Sequence, residues 1–331
     1  MRLPAITGIT IVWAAALLTG CSYLIDEDMS ACGGEFIIHY TVQSDSSMED
    51  EISTVLDEEK DIYVADALRC FLSDVFTDTA RDVYFSFYEA PGGDVPPLKE
   101  VDAEMNAKEA GLSFYLESRD YFHSAVANVR DNAGAVLEKG NASAQMLSVL
   151  RTRSDTESRQ RTGLFSARSR IDTRGLQGGT FQVGLYMVNA ASALVLDRSS
   201  DGGVCSIQAV AGGFADAFMV CDSSYVFSSD YDVQADDLKV EQGTEDCLVA
   251  VSFPSRDEDL SGLWRWRVYA TLPDGSVTES ALSLSEPLKA GMLKIIKAKV
   301  YDTGVVAVED PTVGVSVTLD WHEGGNHVID F

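Results

Sequence analysis

The sequence predicts an all-β protein of two tandem antiparallel Greek-key β-sandwiches, with one short helix in the N-terminal domain. Short apolar or alternating runs of strand length recur along the chain, separated by Gly, Asn and Asp turns. Only one segment spaces its apolar residues as a helix does. Many short strands joined by turns, without regularly alternating helices, favour antiparallel sandwiches over a parallel α/β sheet.

The first half of the chain contains two clear strand patterns. Glu35–Val42 is an apolar-rich run, and Asp82–Tyr88 alternates Val and Phe with other side chains. Further strand candidates here are Leu112–Leu116, Ser124–Val129, Gly163–Ser169 and Thr180–Leu196. The one helical pattern spans about Lys60 to Phe76. Because its apolar residues form a single stripe, we expect this helix to cover a sheet edge or face rather than bind a partner.

A change of composition divides the chain. Asp197–Gly203, a run of Asp, Ser and Gly, is typical of a linker. We therefore expect an N-terminal sandwich over residues 34–198 and a C-terminal sandwich over residues 199–331. Pro273–Ser276 is a hairpin turn signal in the second half. The strand candidates of that half are Val204–Val210, Ala217–Val220, Cys247–Phe253, Leu263–Leu272, Leu293–Val300 and Val313–Trp321.

The N-terminus has the pattern of a bacterial lipoprotein signal peptide over residues 1–20. Ile6–Leu18 is an apolar run too short to span a bilayer comfortably, and it leads into Leu18-Thr19-Gly20-Cys21. We expect cleavage between Gly20 and Cys21, diacylglycerol on the Cys21 thiol, an acyl chain such as palmitate on its new amine, and a lipid tether over residues 21–33. Two lipid attachments give stable anchoring. The alternatives are an ordinary secretory signal followed by a chance Cys, or a short membrane helix.

The composition restricts the partners. Lys and Arg total 25 against 52 Asp and Glu, for a formal net charge of −27. Such a surface repels nucleic acid and anionic lipid headgroups, so we predict neither as a partner. The high apolar content predicts real cores. No second apolar run approaches membrane-spanning length, so the lipid is expected to be the only anchor.

Five cysteines remain besides Cys21, so at least one thiol stays free. No pair has the two-residue spacing of a zinc or redox site. Cys205, Cys221 and Cys247 lie in the same half and one bridge among them is an option; buried apolar thiols are the alternative.

Residues 151–174 hold seven Arg in an otherwise acidic protein. The Ser- and Thr-rich first part predicts an exposed loop containing Arg151, Arg153, Arg159 and Arg161. Three interpretations stay open: a solvated loop, a protease-sensitive site, or a basic patch that docks an acidic partner subunit.

The sequence predicts no enzyme, no cofactor and no metal site. His322-Glu323 with His327 has the wrong spacing for a zinc protease, and Gly324-Gly325 would break the required helix. The acidic clusters lack the regular spacing of a calcium loop. No nucleophile elbow, P-loop or dinucleotide fingerprint occurs. His39 and His123 lie in strand patterns, where a packed or hydrogen-bonded His is the common case.

Four blocks of the sequence occur in one order: Tyr121–Val129 with Asp131-Asn132, then Thr162–Arg168, Phe181–Asp197 and Gly314–Trp321. Together they resemble fimbrial anchor and accessory lipoproteins of the Bacteroidales, of the type V pilus superfamily, in which similar blocks are expected in the same order. The acidic Asp26-Glu27-Asp28 resembles the run that exports lipoproteins to the outer surface in the Bacteroidetes; a plain solvated tether is the alternative.

The resemblance implies two transthyretin-like sandwiches in a surface-exposed lipoprotein of the outer membrane, anchoring or capping a fimbrium. The implied partners are fimbrial structural subunits, docked by strand addition. In polymerising relatives an Arg-specific protease removes the first strand. Cys21 to Glu59 contains no Lys or Arg, so we expect Glu35–Val42 to remain in place. Another strand would then serve docking, and Val313–Phe331 is the candidate.

A surface lipoprotein that binds a glycan or a host protein is the alternative function. Trp264 and Trp266 alternate with Arg265 and Arg267 along one predicted strand. A carbohydrate platform needs accessible aromatic faces. Exposure of these two Trp would therefore favour glycan binding, and their burial would count against it.

Overall fold

The protein is described by a computed structural model. It describes residues 33–43, 47–57, 59–130, 134–150, 160–200, 202–228, 232–240, 242, 244–257, 263–308, 310 and 313–320, and for 318–320 the strand placement only. Over this part of the chain, strands predominate and are arranged in four sheets. The predicted all-β class is confirmed.

The first sandwich is formed by one seven-stranded sheet in the order β3-β2-β5-β8-β9-β1-β4. Its strands are β1 (Gly34–Gln43), β2 (Ala80–Glu89), β3 (Lys99–Ala107), β4 (Glu109–Leu116), β5 (Asp120–Ala127), β8 (Phe165–Asp172) and β9 (Gly178–Met187). Strands β8 and β9 pair only through Phe165–Met187 and Ser166–Tyr186. Beyond that short contact the two strands separate, and the sheet divides into a four-stranded and a three-stranded layer.

Aromatic side chains fill the space between these two layers. Tyr40 on β1 lies with its ring centroid 4.7 Å from that of Phe85 on β2, although the two strands are not neighbours in the sheet. Phe85 in turn meets Phe114 on β4, with centroids 5.5 Å apart and the rings nearly perpendicular. Tilted and edge-on contacts at these distances are favourable for aromatic rings. The alternating pattern of β1 therefore places every second side chain in this core.

The second sandwich consists of two five-stranded sheets. One has the order β15-β16-β10-β19-β20 and the other the order β14-β11-β17-β18-β21. The first contains β10 (Ala190–Ser200), β15 (Asp236–Leu238), β16 (Glu245–Ser252), β19 (Leu293–Tyr301) and β20 (Val306–Val308). The second contains β11 (Ser206–Gly212), β14 (Asp232–Gln234), β17 (Trp264–Thr271), β18 (Val277–Leu284) and β21 (Val313–Asp320). Leu194 and Ile296 on one sheet share a core with Trp266 and Leu282 on the other.

A fourth sheet joins the two halves. Its order is β13-β12-β7-β6, with β6 (Ala135–Glu138) and β7 (Met146–Val149) from the first half and β12 (Ala217–Met219) and β13 (Ser224–Val226) from the second. A buried polar network ties it to the first sandwich. Ser124 on β5 donates a hydrogen bond to Oε1 of Gln145 at 2.6 Å, and Nε2 of Gln145 donates to Ser86 on β2 at 3.1 Å.

Two helices follow β1, where the sequence predicted one. Helix α1 (Ser47–Val55) precedes helix α2 (Ile62–Val75), which confirms the helix predicted at about Lys60 to Phe76. Both helices belong in sequence to the first half, but they pack on the outer face of the β10-β16-β19 sheet of the second. The expectation that the helix covers a sheet face is confirmed, and the face that it covers belongs to the second sandwich. The β10-β16-β19 sheet has an apolar outer face, and the two helices remove this face from water.

Polar contacts fix the helices on this sheet. Oε1 of Glu51 accepts a hydrogen bond from the backbone N–H of Ile295 at 3.0 Å, so α1 covers part of the β19 edge. Asp61 is buried, and its Oδ2 accepts from Nζ of Lys297 on β19 and from the backbone N–H of Asp57, both at 2.7 Å. A buried carboxylate needs such partners, because desolvation alone would be costly.

The chain passes from the first sandwich to the second at Asn189. Its buried side chain accepts a hydrogen bond from the backbone N–H of Leu164 at 3.1 Å and donates to the carbonyl of Thr162 at 2.9 Å. The predicted strand Thr180–Leu196 is accordingly two strands, β9 and β10, in different sheets. The predicted division between residues 198 and 199 falls inside β10, and the domain division stays a prediction.

Removing packing from α2 tests whether the helices stabilise the second sandwich. Leu68 on this helix is completely buried, so we expect Leu68→Ala to lower the free energy of unfolding by about 2–5 kcal/mol. The matched control is Ile62→Ala on the same helix, where the exposed side chain predicts a change within about 0.5 kcal/mol. Urea unfolding followed by Trp fluorescence measures both. Equal effects would contradict the assigned packing.

Candidate functional site

Strand β1 is enclosed within its sheet. It pairs antiparallel with β4 from Gly34–Leu116 to Thr41–Glu109, and parallel with β9 from Glu35–Gly178 to Gln43–Tyr186. The side chains of Phe36, Ile38, Tyr40 and Val42 are buried. Because both edges of β1 are hydrogen-bonded and one face lies in the core, the first sandwich has no open groove at this position.

The chain enters β1 through two glycines that leave no room for a side chain. A Cβ on Gly33 would lie 2.5 Å from the carbonyl oxygen of Leu116, and one on Gly34 would lie 2.4 Å from that of Gln177. Both distances are far below van der Waals contact, and the obstacle is backbone on each side. Gly33 and Gly34 therefore lie between the ends of β4 and β9, where only glycine fits.

A buried hydrogen-bond chain locks β1 to the opposite layer. The Tyr40 hydroxyl lies 2.8 Å from Nε2 of His123, and Nδ1 of His123 lies 2.9 Å from the carbonyl oxygen of Ser86. His123 is fully buried, and this desolvation lowers its pKa to about 4. The neutral ring therefore donates to Ser86 and accepts from Tyr40. The prediction of a packed or hydrogen-bonded His is confirmed at position 123, whereas His39 is exposed on the outer face of β1.

Strand β21, within the predicted docking segment Val313–Phe331, lies at the edge of its sheet. Among the described strands it pairs with β18 alone, from Leu284–Val313 to Val277–Asp320. Val315 and Val317 are exposed at 42% and 40% of their surface. An edge strand with apolar side chains and unpaired backbone groups is a template for another strand. Residues 321–331, with His322 and His327, lie outside the described part of the chain.

The Arg-rich segment divides into two parts. Arg151, Arg153 and Arg159 lie outside the described residues, and Arg161 is exposed just beyond them. The later Arg residues belong to β8 and the turn after it. Arg170 forms a salt bridge with Asp120 at 2.5 Å, and Arg174 forms one with Asp172 at 2.6 Å. Arg170 and Arg174 are therefore balanced by neighbouring carboxylates, and the protease-sensitive loop stays a prediction.

Trp264 and Trp266 do not form a surface platform. They are exposed to only 1% and 0% and lie in the core of the second sandwich. Nε1 of Trp264 donates a hydrogen bond to the carbonyl of Glu286 at 2.8 Å. Their burial counts against a glycan site built on this strand. The alternation with Arg265 and Arg267 marks instead one core-facing and one outward-facing side of β17.

The four described cysteines, Cys70, Cys205, Cys221 and Cys247, are free thiols, so the bridge considered among the last three is not formed. Cys247 lies beneath the helices, and burial raises the pKa of its thiol to about 12. The predicted lipidation residue Cys21 and the cleavage position after Gly20 lie outside the described residues. Within those residues, no helix is long and apolar enough to cross a bilayer, and no three His, Cys, Asp or Glu side chains cluster as metal ligands would.

Comparison with solved structures identifies the fold. No protein-family model and no curated protein matches the sequence. A candidate polysaccharide-binding protein from Bacteroides thetaiotaomicron aligns over 85% of this chain and 97% of its own, with 10% identity and a TM-score of 0.52. A candidate adhesin from the same species aligns over 86% and 97%, with 9% identity and a TM-score of 0.51.

The fimbrial anchor protein Mfa2 from Porphyromonas gingivalis aligns over 86% of this chain and 98% of its own, with 9% identity and a TM-score of 0.49. The chain shares its fold with the two Bacteroides structures. At such low identity, a structural likeness carries information on the fold alone.

The burial of His123 predicts a pH dependence of stability. An unfolded His has a pKa of about 6.5, and the folded pKa is lowered to about 4. Between these values the unfolded state binds a proton that the folded state does not, so the free energy of unfolding falls as pH falls. We expect this group to remove about 2 kcal/mol between pH 7 and pH 5. The loss from this group levels off as pH falls below the folded pKa of about 4.

Urea titrations at pH 7 and pH 5 measure this effect in the wild type and in His123→Gln. The variant is expected to lose about 2 kcal/mol less than the wild type on acidification, whatever its stability at pH 7. His39→Gln, on the exposed side of β1, is the matched control and should behave as the wild type. The same pH dependence in His123→Gln and wild type would refute the assignment.

Proposed function

We propose that this chain is a surface lipoprotein that serves as a fimbrial anchor or accessory subunit. Lipid on Cys21 tethers it to the outer membrane, and it docks partner subunits by strand addition, without chemical turnover. The Bacteroides protein of the same fold that is named as a candidate adhesin is consistent with this function. The similar sequence blocks at Tyr121–Val129, Thr162–Arg168 and Phe181–Asp197 support the same assignment.

The enclosed first strand is the observation that carries the proposal. A subunit inside a strand-exchanged polymer must expose a groove to receive its neighbour's strand. Here β1 occupies that position, paired on both sides and hydrogen-bonded through Tyr40 to His123. Cys21–Glu59 contains no Lys or Arg for a trypsin-like or Arg-specific protease. Retention of β1 also keeps the polypeptide continuous with the lipid, as a terminal anchored subunit requires.

The edge strand β21 is the element proposed to meet the partner. Its sequence from Val313 to Leu319 contains no charged residue, which is unusual for an exposed edge. Charges on edge strands oppose strand addition, and their absence leaves this edge open to it. Main-chain hydrogen bonds would provide affinity, and pockets for alternate side chains would provide specificity.

Replacing the lipidated Cys tests the tether. We expect Cys21→Ala to release the protein, together with attached fimbrial subunits, into the medium. Wild-type protein should stay with the cells and co-purify with the subunit ladder of surface-sheared fimbriae. Immunoblots of the cell, sheared and medium fractions measure the distribution. If the wild type never co-purifies and cell-associated fimbriae are unchanged in the variant, the anchor function is excluded.

Introducing charge on β21 tests the docking edge separately from the tether. We expect the double variant Val315→Asp/Val317→Asp to remain on the cell surface and to lose co-purification with fimbrial subunits at least tenfold. Its melting temperature should be nearly unchanged, because both side chains are exposed. The matched control is Val136→Asp on β6, an edge strand of another sheet, with 42% exposure. Normal co-purification of the double variant would exclude β21 as the docking edge.

A further inference from the structure

A cleft of about 350 Å³ lies where the first sandwich meets the sheet that joins the two halves. Ser166 and Arg168 on β8 line one wall, Tyr186 at the end of β9 stands at the rim, and Phe218 and Tyr225 on β12 and β13 line the other wall. Phe218 is buried, whereas Arg168 and Tyr186 are exposed. The cleft thus has an apolar interior and a rim that combines an aromatic ring with a cation.

Tyr186 presents an accessible aromatic ring beside this cleft. Its side chain is exposed at 63%, more than any other large hydrophobic or aromatic residue in the described part of the chain. The outer ring atoms lie over Gly184 of the same strand, since a Cβ there would come within 3.0 Å of Cε2 and 3.2 Å of Cζ. The missing side chain of Gly184 therefore lets the ring lie down against the strand, while much of its surface faces solvent.

Residues with hydrogen-bonding side chains line the same cleft as this ring. Nη1 of Arg168 donates to the backbone carbonyl of Cys221 at 3.0 Å, which fixes the guanidinium at the rim. The other N–H groups of the guanidinium lie in the same plane and are further hydrogen-bond donors. Tyr225 donates its hydroxyl to the carbonyl of Val188 at 2.9 Å, so the second aromatic wall is held in place. Ser166 and Ser223 also line the cleft.

We propose that this cleft binds a pyranose unit of a glycan, with the sugar ring against Tyr186 and its hydroxyls or ring oxygen bonded by Arg168. The C–H face of a sugar carries weak positive charge and packs on the negative face of an aromatic ring. Sugar hydroxyls accept from a fixed planar donor and exchange hydrogen bonds with neighbouring Ser. An exposed ring, a planar donor and a partly apolar concave wall therefore match this ligand class.

This site is separate from the docking edge. The cleft lies on β8, β9, β12 and β13, whereas β21 belongs to the β14-β11-β17-β18-β21 sheet of the second sandwich. It also differs from the platform that the sequence predicted at Trp264 and Trp266, which is buried. Glycan binding here would therefore survive loss of fimbrial docking, and the two can be tested independently.

A printed array of bacterial and mammalian glycans tests the proposal. The full chain is applied in lauryldimethylamine oxide, because a sugar-based detergent could occupy the cleft. Tyr186→Ala and Arg168→Ala are each expected to weaken binding of the recognised glycans at least tenfold. Tyr115→Ala is the matched control, since Tyr115 is an equally exposed tyrosine (61%) on β4 of the same sheet. Binding by this control should equal that of the wild type.

A fourth variant separates ring position from ring loss. Gly184→Ala keeps Tyr186 but pushes its ring off the strand, so binding should weaken while the circular dichroism spectrum stays as in the wild type. Wild-type binding to no glycan on the array would overturn the proposal. Binding that is unchanged in both Tyr186→Ala and Arg168→Ala would also overturn it, since the glycan would then bind elsewhere. Neither result would alter the Val315→Asp/Val317→Asp test of docking.

Discussion

Strand β10 has both of its faces buried, and much of the architecture follows from this constraint. Ala191, Ala193 and Val195 face the helices, whereas Leu194 and Leu196 face the core of the second sandwich. A strand buried on both sides needs an apolar layer on each. The chain provides one of these layers with α1 and α2, which come from the segment between β1 and β2. The second sandwich is therefore completed by residues of the first half.

The sheet that joins the halves also combines elements of both. Its strands β6 and β7 come from the first half and β12 and β13 from the second, and β7 pairs with β12. One consequence is that β1 stays in the first sandwich, whereas the segment after it, with α1 and α2, packs on the second. The enclosed β1, with Tyr40 bonded to His123, and the helices fixed through Glu51 and Asp61 are successive parts of one stretch of chain. Loss of β1 would remove both the Tyr40 hydroxyl that bonds His123 and the Tyr40 ring that packs beside it.

Local patterns predicted the elements well where one face of a strand or helix is polar. The alternation in Glu35–Val42 and the stripe from Val64 to Val75 correspond to β1 and α2. Helix α1 was missed because only Met48 and Ile52 of its residues are buried, and its acidic positions hide the period. The association of both helices with the second sandwich could not be read locally, since it depends on a sheet whose strands lie more than a hundred residues away.

Of the two candidate sites, the one on a single strand could be predicted from the sequence, and the one formed by several strands could not. The strand predicted at Val313–Trp321 is found as β21, at the edge of its sheet. By contrast, the cleft at Tyr186 is made by β8, β9, β12 and β13 together, and no spacing in the sequence joins Arg168 to Tyr225. Gly184, two residues before Tyr186, was the single local signal, because a small residue at i−2 on the same strand face lets an aromatic ring lie flat.

The position of β1 between β4 and β9 also has a mechanical consequence. If the chain is anchored at Cys21, as proposed above, tension on the anchor would act on the N-terminal end of β1, at Gly33 and Gly34. The hydrogen bonds to β4 and β9 run across the axis of β1, so a force along that axis would act on both ladders in shear instead of opening them one bond at a time. Resistance to detachment under flow would then depend on the unfolding rate of this sandwich more than on its equilibrium stability.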